Sequence, residues 1–395
     1  MSSSNQPTEA LPDLPLPEGI VSDYVDCSAS CGLTWHVLRA GKPGNPLVLF
    51  CHGYPELAYS WRKILPRIAE AGYYCVAMDQ RGYGRTIGWP RHQPYDEVNL
   101  DDFVFTNLVR DLVCLVYALG YKTVYSIIGH DFGAVSSAMS ALMRPDIFLS
   151  TIQMSHPHHK PALPTPSTKA EEAAKKPDIQ ADLAKLNPPR KHYKWYNSSP
   201  QAAHDWETPA QGLEAFLRGY FHLKSGDWPL NNPRPLEKWG AQDLAGMPEY
   251  YIMQAAHSMP ESVASNMAST NQDFPKTKSW LSSRDLKVYC EEWTRTGFQG
   301  ALNWYRAQTA STPQSRRDML LFAGRRIEVP CTFISGARDW GNYQQPGAIE
   351  GYEDPDAVKE GCYRGVRFVE GAGHWVQQEK PEVVVGEILK FFETL

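Results

Sequence analysis

The chain has 395 residues, 42 % of them hydrophobic and 21 % charged, a composition that can bury a large core. Its 39 basic and 44 acidic residues leave a net charge of −5, which argues against a nucleic-acid binder. No stretch approaches the ~20 apolar residues of a membrane-spanning helix. The opening MSSSNQPTEALPDLPLPEG has neither a basic region nor an apolar run, so a secretory signal is not expected and a cytoplasmic location is. Eight scattered cysteines, the closest being Cys27 and Cys31, are too few for a disulfide scaffold and read as free thiols.

In chain order, residues 1–19 are Pro- and Ser-rich and read as a mobile or surface-wrapped leader. From about residue 20 an α/β alternation sets in. Leu33 to Arg39 alternates like a strand, and Pro46 to Cys51 (PLVLFC) is a buried strand feeding His52-Gly53. Tyr73 to Met78 (YYCVAM) is the next strand, and residues 103–119 carry helical spacing up to Gly120. Thr123 to Ile128 reads as a strand broken at Gly129, residues 132–143 as a helix closed by Arg144-Pro145, and Leu149 to Met154 as another strand. The rhythm then pauses. Residues 156–316 are helix-like, aromatic and interrupted by prolines, with a Lys-, Ala-, Pro- and Glu-rich stretch at 160–192 expected to be a solvated excursion. Strands return at Val329 to Ser335 and Val366 to Glu370, followed by a final helix over 381–395. The economical reading is an α/β fold with a mostly parallel sheet, helices on both faces, core segments 20–155 and 317–395, and a helical cap at 156–316.

The sharpest local signal is Gly129-His130-Asp131-Phe132-Gly133 at a strand-to-helix junction. That is the context of a nucleophile elbow, in which flanking glycines allow a tight turn that lifts one side chain over the sheet edge. The lifted side chain here is a carboxylate. Asp131 needs no base to become a nucleophile, and its attack on an electrophilic sp3 carbon gives an alkyl ester. Hydrolysing that ester does require a base to activate water. His374, in Gly371-Ala-Gly-His-Trp after an apolar strand, supplies it, and Asp339 after the preceding strand orients the imidazole. No carboxylate follows the strand ending at Met154, so the alternative acid position is empty. The backbone N–H groups of Tyr54, in His52-Gly-Tyr-Pro55, and of Phe132 form the expected oxyanion site, which leaves both side chains to the pocket.

With these parts in place the chain resembles the epoxide hydrolases of the α/β-hydrolase fold, from about residue 20 to the end. The strings H-G-Y-P-E, D-Q-R-G-Y-G, G-H-D-F-G and G-A-G-H-W are shared with other Asp-nucleophile members, including haloalkane dehalogenases. The discriminating segment is Gly297 to Arg306, which is similar to the lid motif G-F-x-G-x-L-N-W-Y-R. The resemblance implies that Tyr305 binds the epoxide oxygen, with a second lid tyrosine from His192-Tyr-Lys-Trp-Tyr196. Tyr193 is assigned that role, with Tyr196 as the second choice. A phenol can donate a hydrogen bond to the ring oxygen at neutral pH, and two such donors would also orient the ring for backside attack. Phe132 stands where dehalogenases usually carry Trp, which favours the epoxide reading. Tyr54, Phe132, Tyr196, Trp304 and Trp375 are expected to line a pocket for a bulky, apolar epoxide.

The same residues leave open hydrolytic dehalogenation, a cyclase in which a substrate hydroxyl opens the epoxide, and a non-catalytic ligand receptor on this fold. No cofactor or metal is expected. There is no G-x-G-x-x-G or phosphate-binding loop, and His156, His158 and His159 match no zinc spacing and read as loop residues at the base of the cap. Asp79 and Arg81 read as a structural network. Trp206, Phe216, Tyr220, Phe221 and Trp228 read as cap core. The specific substrate, the stereochemistry and the oligomeric state do not follow from the sequence.

Overall fold

The computed structural model describes residues 11–91, 93–161, 178–270, 275–310 and 312–395. In chain order its strands are β1 (Ile20–Cys27), β2 (Leu33–Ala40), β3 (Leu47–Cys51), β4 (Tyr74–Met78), β5 (Ser126–His130), β6 (Thr151–Met154), β7 (Arg190–His192), β8 (Ile252–Gln254), β9 (Cys331–Gly336) and β10 (Tyr363–Val369). Eight of them form one sheet in the order β1-β2-β4-β3-β5-β6-β9-β10, antiparallel at β1–β2 and β2–β4 and parallel elsewhere.

Strands β3, β4 and β5 are buried along their whole length, because helices cover both faces of the sheet. Alternation sorts their side chains between the two layers. Val48, Phe50, Cys75 and Ala77 pack with Trp61, Leu65 and Ile68 and with Val384, Ile388 and Phe391 of the C-terminal helix Pro381–Phe392. Leu47, Leu49, Val76 and Met78 face the other way, onto Val109, Leu112 and Val116 of helix α1 (Phe105–Ala118) and Met139 of helix α2 (Phe132–Met143).

Two strands depart from the expected pattern. Edge strand β1 carries exposed Val21 and Tyr24 and shows no clean alternation, so period-2 reasoning does not detect it. Strand β5 starts later than expected and runs through Gly129, which pairs with both Cys51 and Gln153. Gly129 therefore does not break the strand. A Cβ at Gly129 would sit 1.8 Å from the Gly133 carbonyl oxygen, and one at Gly133 would sit 2.1 Å from that of Cys51. The glycines are there so that helix, turn and strand can meet backbone to backbone.

The chain between β6 and β9 forms the cap. Its helices include α3 (Leu213–Lys224), α4 (Ser283–Thr296) and α5 (Gln299–Ala310), with a small antiparallel ribbon of β7 and β8 that is too short to leave a sequence period. Trp206, Phe216, Tyr220, Phe221 and Trp228 are all buried in it. They belong to one apolar cluster with Tyr54, Phe132 and Trp375, which come from the sheet's loops. Cap and sheet edge thus share a single core, and the elbow lies beneath it.

Of the leader, residues 1–10 lie outside the described residues, while Leu14 and Leu16 are partly buried against the core clusters. Residues 162–177 of the expected excursion also lie outside, but Ile179–Ala184 is a helix capped by the Asp178 side chain. All eight cysteines are free. Among the described residues no helix is long and apolar enough to cross a membrane. Replacing Gly133 by Ala should lower unfolding free energy by roughly 3 kcal/mol, because the new methyl collides with rigid backbone. Urea titration measures this, and an unchanged midpoint would contradict the close-approach account.

Candidate active site

Asp131 ends β5 and opens α2 with φ 53° and ψ −115°, a conformation that non-glycine residues rarely adopt. The turn holds its carboxylate so that Oδ1 accepts the Tyr54 N–H at 3.1 Å. Burial alone would raise the Asp131 pKa, but the charges of His374, Lys224 and His130 and the Tyr54 amide outweigh it and hold the group at about 2. The nucleophile candidate is an anion throughout the physiological range.

His374 Nε2 faces Asp131 Oδ2 at 3.7 Å and makes no hydrogen bond, while Nδ1 lies 3.2 and 3.3 Å from the two oxygens of Asp339. A third group joins them. Ser155 follows β6 with φ 67°, at the position where an alternative acid is absent; its Oγ stands 2.7 Å from His374 Nδ1 and also bonds the Asp339 carboxylate. Burial and the Lys224 charge lower the His374 pKa, against Asp339, which raises it. The imidazole is therefore biased towards its neutral, basic form, with Nδ1–H committed to the acid side and Nε2 directed at the elbow.

Sequence reasoning passed over the layer beneath. His130 contacts Glu56 through Nδ1 at 2.6 Å and the His374 carbonyl through Nε2 at 2.7 Å. Both ring nitrogens face acceptors, which requires both to carry protons. Glu56 raises the His130 pKa, and His130 lowers that of Glu56, in each case against burial. The Gln377 and Gln378 amides also donate to Glu56, at 3.0 and 2.7 Å. Glu379 accepts the N–H groups of Gly373, Trp375 and, from the cap, Gly226. Arg338 donates to the cap carbonyls of Gly226, Trp228, Pro229 and Asn231. The loops bearing Asp339 and His374 are thereby tied to the cap segment 225–231. Glu56 had a possible sequence signal as the last residue of H-G-Y-P-E, whereas Ser155, Glu379 and Arg338 gain their meaning only in three dimensions.

Above the elbow, the Tyr193 and Tyr305 rings stand 5.8 Å apart, centre to centre. The Phe132 ring lies 4.6 Å from that of Tyr305, and the Tyr54 ring 5.4 Å from it. The Tyr193 hydroxyl donates to Gln344 Oε1 at 3.2 Å. Burial, with the Asp131 charge adding, raises both lid-tyrosine pKa values, so both phenols keep their protons. Tyr196 is turned elsewhere. Its hydroxyl donates to Asp205 at 2.8 Å, Lys191 lies over its ring, and it lines an outer groove of about 480 Å³. Tyr193 and Tyr196 lie in one five-residue helix and both are buried, but the Tyr196 hydroxyl is committed to Asp205. Trp304 and Trp375 act as anchors, with their indole N–H groups donating to the carbonyls of Arg81 and Phe221. The Trp375 ring also stands edge-on to the His374 imidazole, 4.5 Å away.

The other candidates stay outside this constellation. His156, His158 and His159 occupy the loop after β6; burial lowers the pKa values of His156 and His158 to about 4, so these two are neutral, while His159 is exposed. Among the described residues no group of three His, Cys, Asp or Glu side chains is arranged to hold a metal ion. Asp79 accepts from His36, Ala58 and Arg85, and Arg81 pairs with Asp111 at 2.6 Å, a buried network that braces the D-Q-R-G-Y-G turn.

Comparison with known proteins agrees with this geometry. A family profile described as the alpha/beta hydrolase fold matches residues 46–185. The chain is 31 % identical to Epoxide hydrolase A of Mycobacterium tuberculosis over 370 residues, covering 92 % of this chain and 95 % of that protein. It is 26 % identical to Epoxide hydrolase 3 of Siraitia grosvenorii, covering 91 % and 95 %. Among solved structures, an epoxide hydrolase from an endophytic Streptomyces superposes with a TM-score of 0.73 at 27 % identity, covering 95 % of this chain and 96 % of that one. Epoxide hydrolase I of potato (Solanum tuberosum) gives 0.68 at 27 %, covering 95 % and 100 %.

Replacing Glu56 by Ala should cost about 3–5 kcal/mol of stability, because it strands the buried His130 charge. Chemical denaturation measures the loss, and an unchanged unfolding free energy would show that the pair is not ionic.

Proposed function

Because the chain belongs to the epoxide hydrolases of the α/β-hydrolase fold, we propose that it opens an epoxide to a vicinal diol through an ester on Asp131. The observation that carries the reading is His374 Nε2 directed at Asp131 Oδ2 at 3.7 Å, close enough to deliver a water to the acyl carbon of that ester.

In the first step an Asp131 oxygen attacks a ring carbon from the face opposite the C–O bond. The electron pair of that bond moves to the ring oxygen, which takes a proton from the hydrogen-bonded phenol of Tyr193 or Tyr305. Both phenols are needed, because an alkoxide leaves poorly unless it is hydrogen-bonded as it forms. Gln344, on the Tyr193 hydroxyl, keeps that side chain aimed.

In the second step His374 Nε2 takes a proton from water, and the oxygen adds to the ester carbonyl. Nδ1–H, held by Asp339 and Ser155, fixes the tautomer this requires. The Tyr54 N–H, which contacts Asp131 Oδ1 in the resting protein, and the Phe132 N–H at the start of α2 receive the oxyanion. Collapse expels the diol oxygen, which accepts the proton held on His374, and the carboxylic acid left at Asp131 returns a proton to the lid phenolate, so that every group ends as it began. The aromatic walls of Tyr54, Phe132 and Tyr305 fit an apolar group on the epoxide.

Three outcomes follow from these roles. Asp131→Ala should abolish diol formation, and His374→Gln should hold the enzyme at an increased mass equal to one substrate molecule. Intact-protein mass spectrometry after mixing with excess epoxide reads both, and diol from Asp131→Ala would overturn the mechanism. Tyr193→Phe or Tyr305→Phe should slow ester formation about 100-fold each, as expected for the loss of one donor to a developing oxyanion. Activity should rise with pH as His374 loses its proton, with a midpoint below the ordinary value of about 6.5, because burial and Lys224 favour the neutral ring. A midpoint well above 6.5 in the pH–kcat profile would contradict this.

A further inference from the structure

Lys224 closes helix α3 of the cap and is 3 % exposed. Its backbone carbonyl accepts the His374 N–H at 2.8 Å, so it is fastened to the loop that carries the base. Its ammonium lies over three rings, with Nζ at 4.9 Å from the centre of Tyr251 and 5.3 Å from those of Tyr220 and Trp375. Rings partly replace the hydration of a cation but cannot accept three hydrogen bonds. The Tyr220 and Tyr251 hydroxyls of this cage are buried and unpartnered. A buried ammonium left this way is costly, and one so close to an active site acts on whatever charge changes there.

We propose that Lys224 is the charge-setting residue of ester hydrolysis: its caged ammonium keeps His374 unprotonated when water must be activated and stabilises the Asp131 carboxylate as the ester is cleaved. The inference rests on the ester reading above and adds a role that the triad does not need by name. The groups facing Lys224 are Asp131 at the elbow, Asp339 after β9, Glu56 after β3, and the phenols of its cage. His374 in turn faces Asp339, Lys224, His130 and Asp131.

The sequence of charges explains why the second step is the sensitive one. Before reaction, the Asp131 anion attracts Lys224 and a protonated His374 alike and so offsets their mutual repulsion. On alkylation that negative charge leaves Asp131 for the epoxide oxygen and passes, as the oxygen takes a phenol proton, to the lid phenolate. Lys224 then opposes an imidazolium with less compensation, which favours neutral His374 when water is to be deprotonated. When the tetrahedral adduct collapses, the ester C–O bond breaks with its electron pair on the diol oxygen, which takes the His374 proton, and the acid left at Asp131 gives its proton to the lid phenolate and becomes an anion again, a charge that Lys224 attracts. Burial lowers the Lys224 pKa to about 8, against the pull of Asp131, Asp339 and Glu56, so the ammonium itself should be lost in mildly alkaline solution.

The test uses the full chain with styrene oxide as probe. Stopped-flow tryptophan fluorescence separates ester formation from ester hydrolysis between pH 5 and 10, and quenched-sample mass spectrometry identifies the ester. In Lys224→Met, hydrolysis should slow about tenfold at pH 7, more than ester formation does, and its acid limb should move up by about one pH unit as His374 is released from repulsion. The alkaline change near pH 8 seen in the wild type should disappear. Lys224→Arg keeps a charge that does not titrate, so it should retain the wild-type acid limb while also losing the change near pH 8. If Lys224→Met does not fold, the Arg variant decides alone. Hydrolysis profiles that superimpose on the wild type, or both steps falling equally with no shift in either limb, would overturn the proposal. A wild-type protein that turns over styrene oxide without any ester would instead overturn the ester reading itself.

Discussion

The interaction on which the site depends is the confinement of one carboxylate at a left-handed backbone position inside the protein. Asp131 holds φ 53° where a relaxed non-glycine residue would not, at a cost on the order of 1–3 kcal/mol. Its charge is buried, which adds to the cost unless partners stand close. The protein meets both demands locally. Gly129 and Gly133 let strand, turn and helix touch, and the Tyr54 amide, the N-terminal end of α2, His374, His130 and Lys224 surround the anion with positive potential. The result is a carboxylate that is ionised, aimed and shielded from bulk water.

The same constraint explains why the cap is fused to the sheet's core. A desolvated anion needs a roof, and the roof must also carry donors for the oxygen that leaves. Tyr193 and Tyr305 belong to the apolar cluster that contains Tyr54, Phe132 and Trp375, so the two phenols share one packed environment with the neighbours of Asp131 and His374. Glu379 and Arg338 then bind cap segment 225–231 to the loops of His374 and Asp339. Movement of that segment would misplace the base together with its orienting acid.

Much of this was legible in the sequence wherever the signal is local. The elbow, the base and the acid each sit at a strand end within a few residues of glycine, and the alternation of buried strands with helices gives the sheet. Signals that depend on distant chain partners were not legible. Ser155 reads as an ordinary hydroxyl until it meets the imidazole, Lys224 as one more helix-ending cation, and Glu56 as a polar residue after a proline. Gly129 continues the strand that a glycine at that place suggests it ends, because helix packing and strand termination leave the same residue behind. The tyrosines at 193 and 196 are three residues apart, a spacing that puts both near one helix face, so spacing alone does not separate them. Edge strand β1 lacks the burial that creates a hydrophobic period, and the three-residue strands β7 and β8 are too short to show one.

The most direct test of the central claim is the fate of oxygen during a single turnover in heavy-oxygen water with enzyme in excess. If Asp131 forms the ester, the first diol carries an unlabelled oxygen from the enzyme, and the heavy isotope appears in the peptide containing Asp131. Label in that first diol, with none in the Asp131 peptide, would mean that water or another group attacks the epoxide directly and that the carboxylate never bonds to carbon.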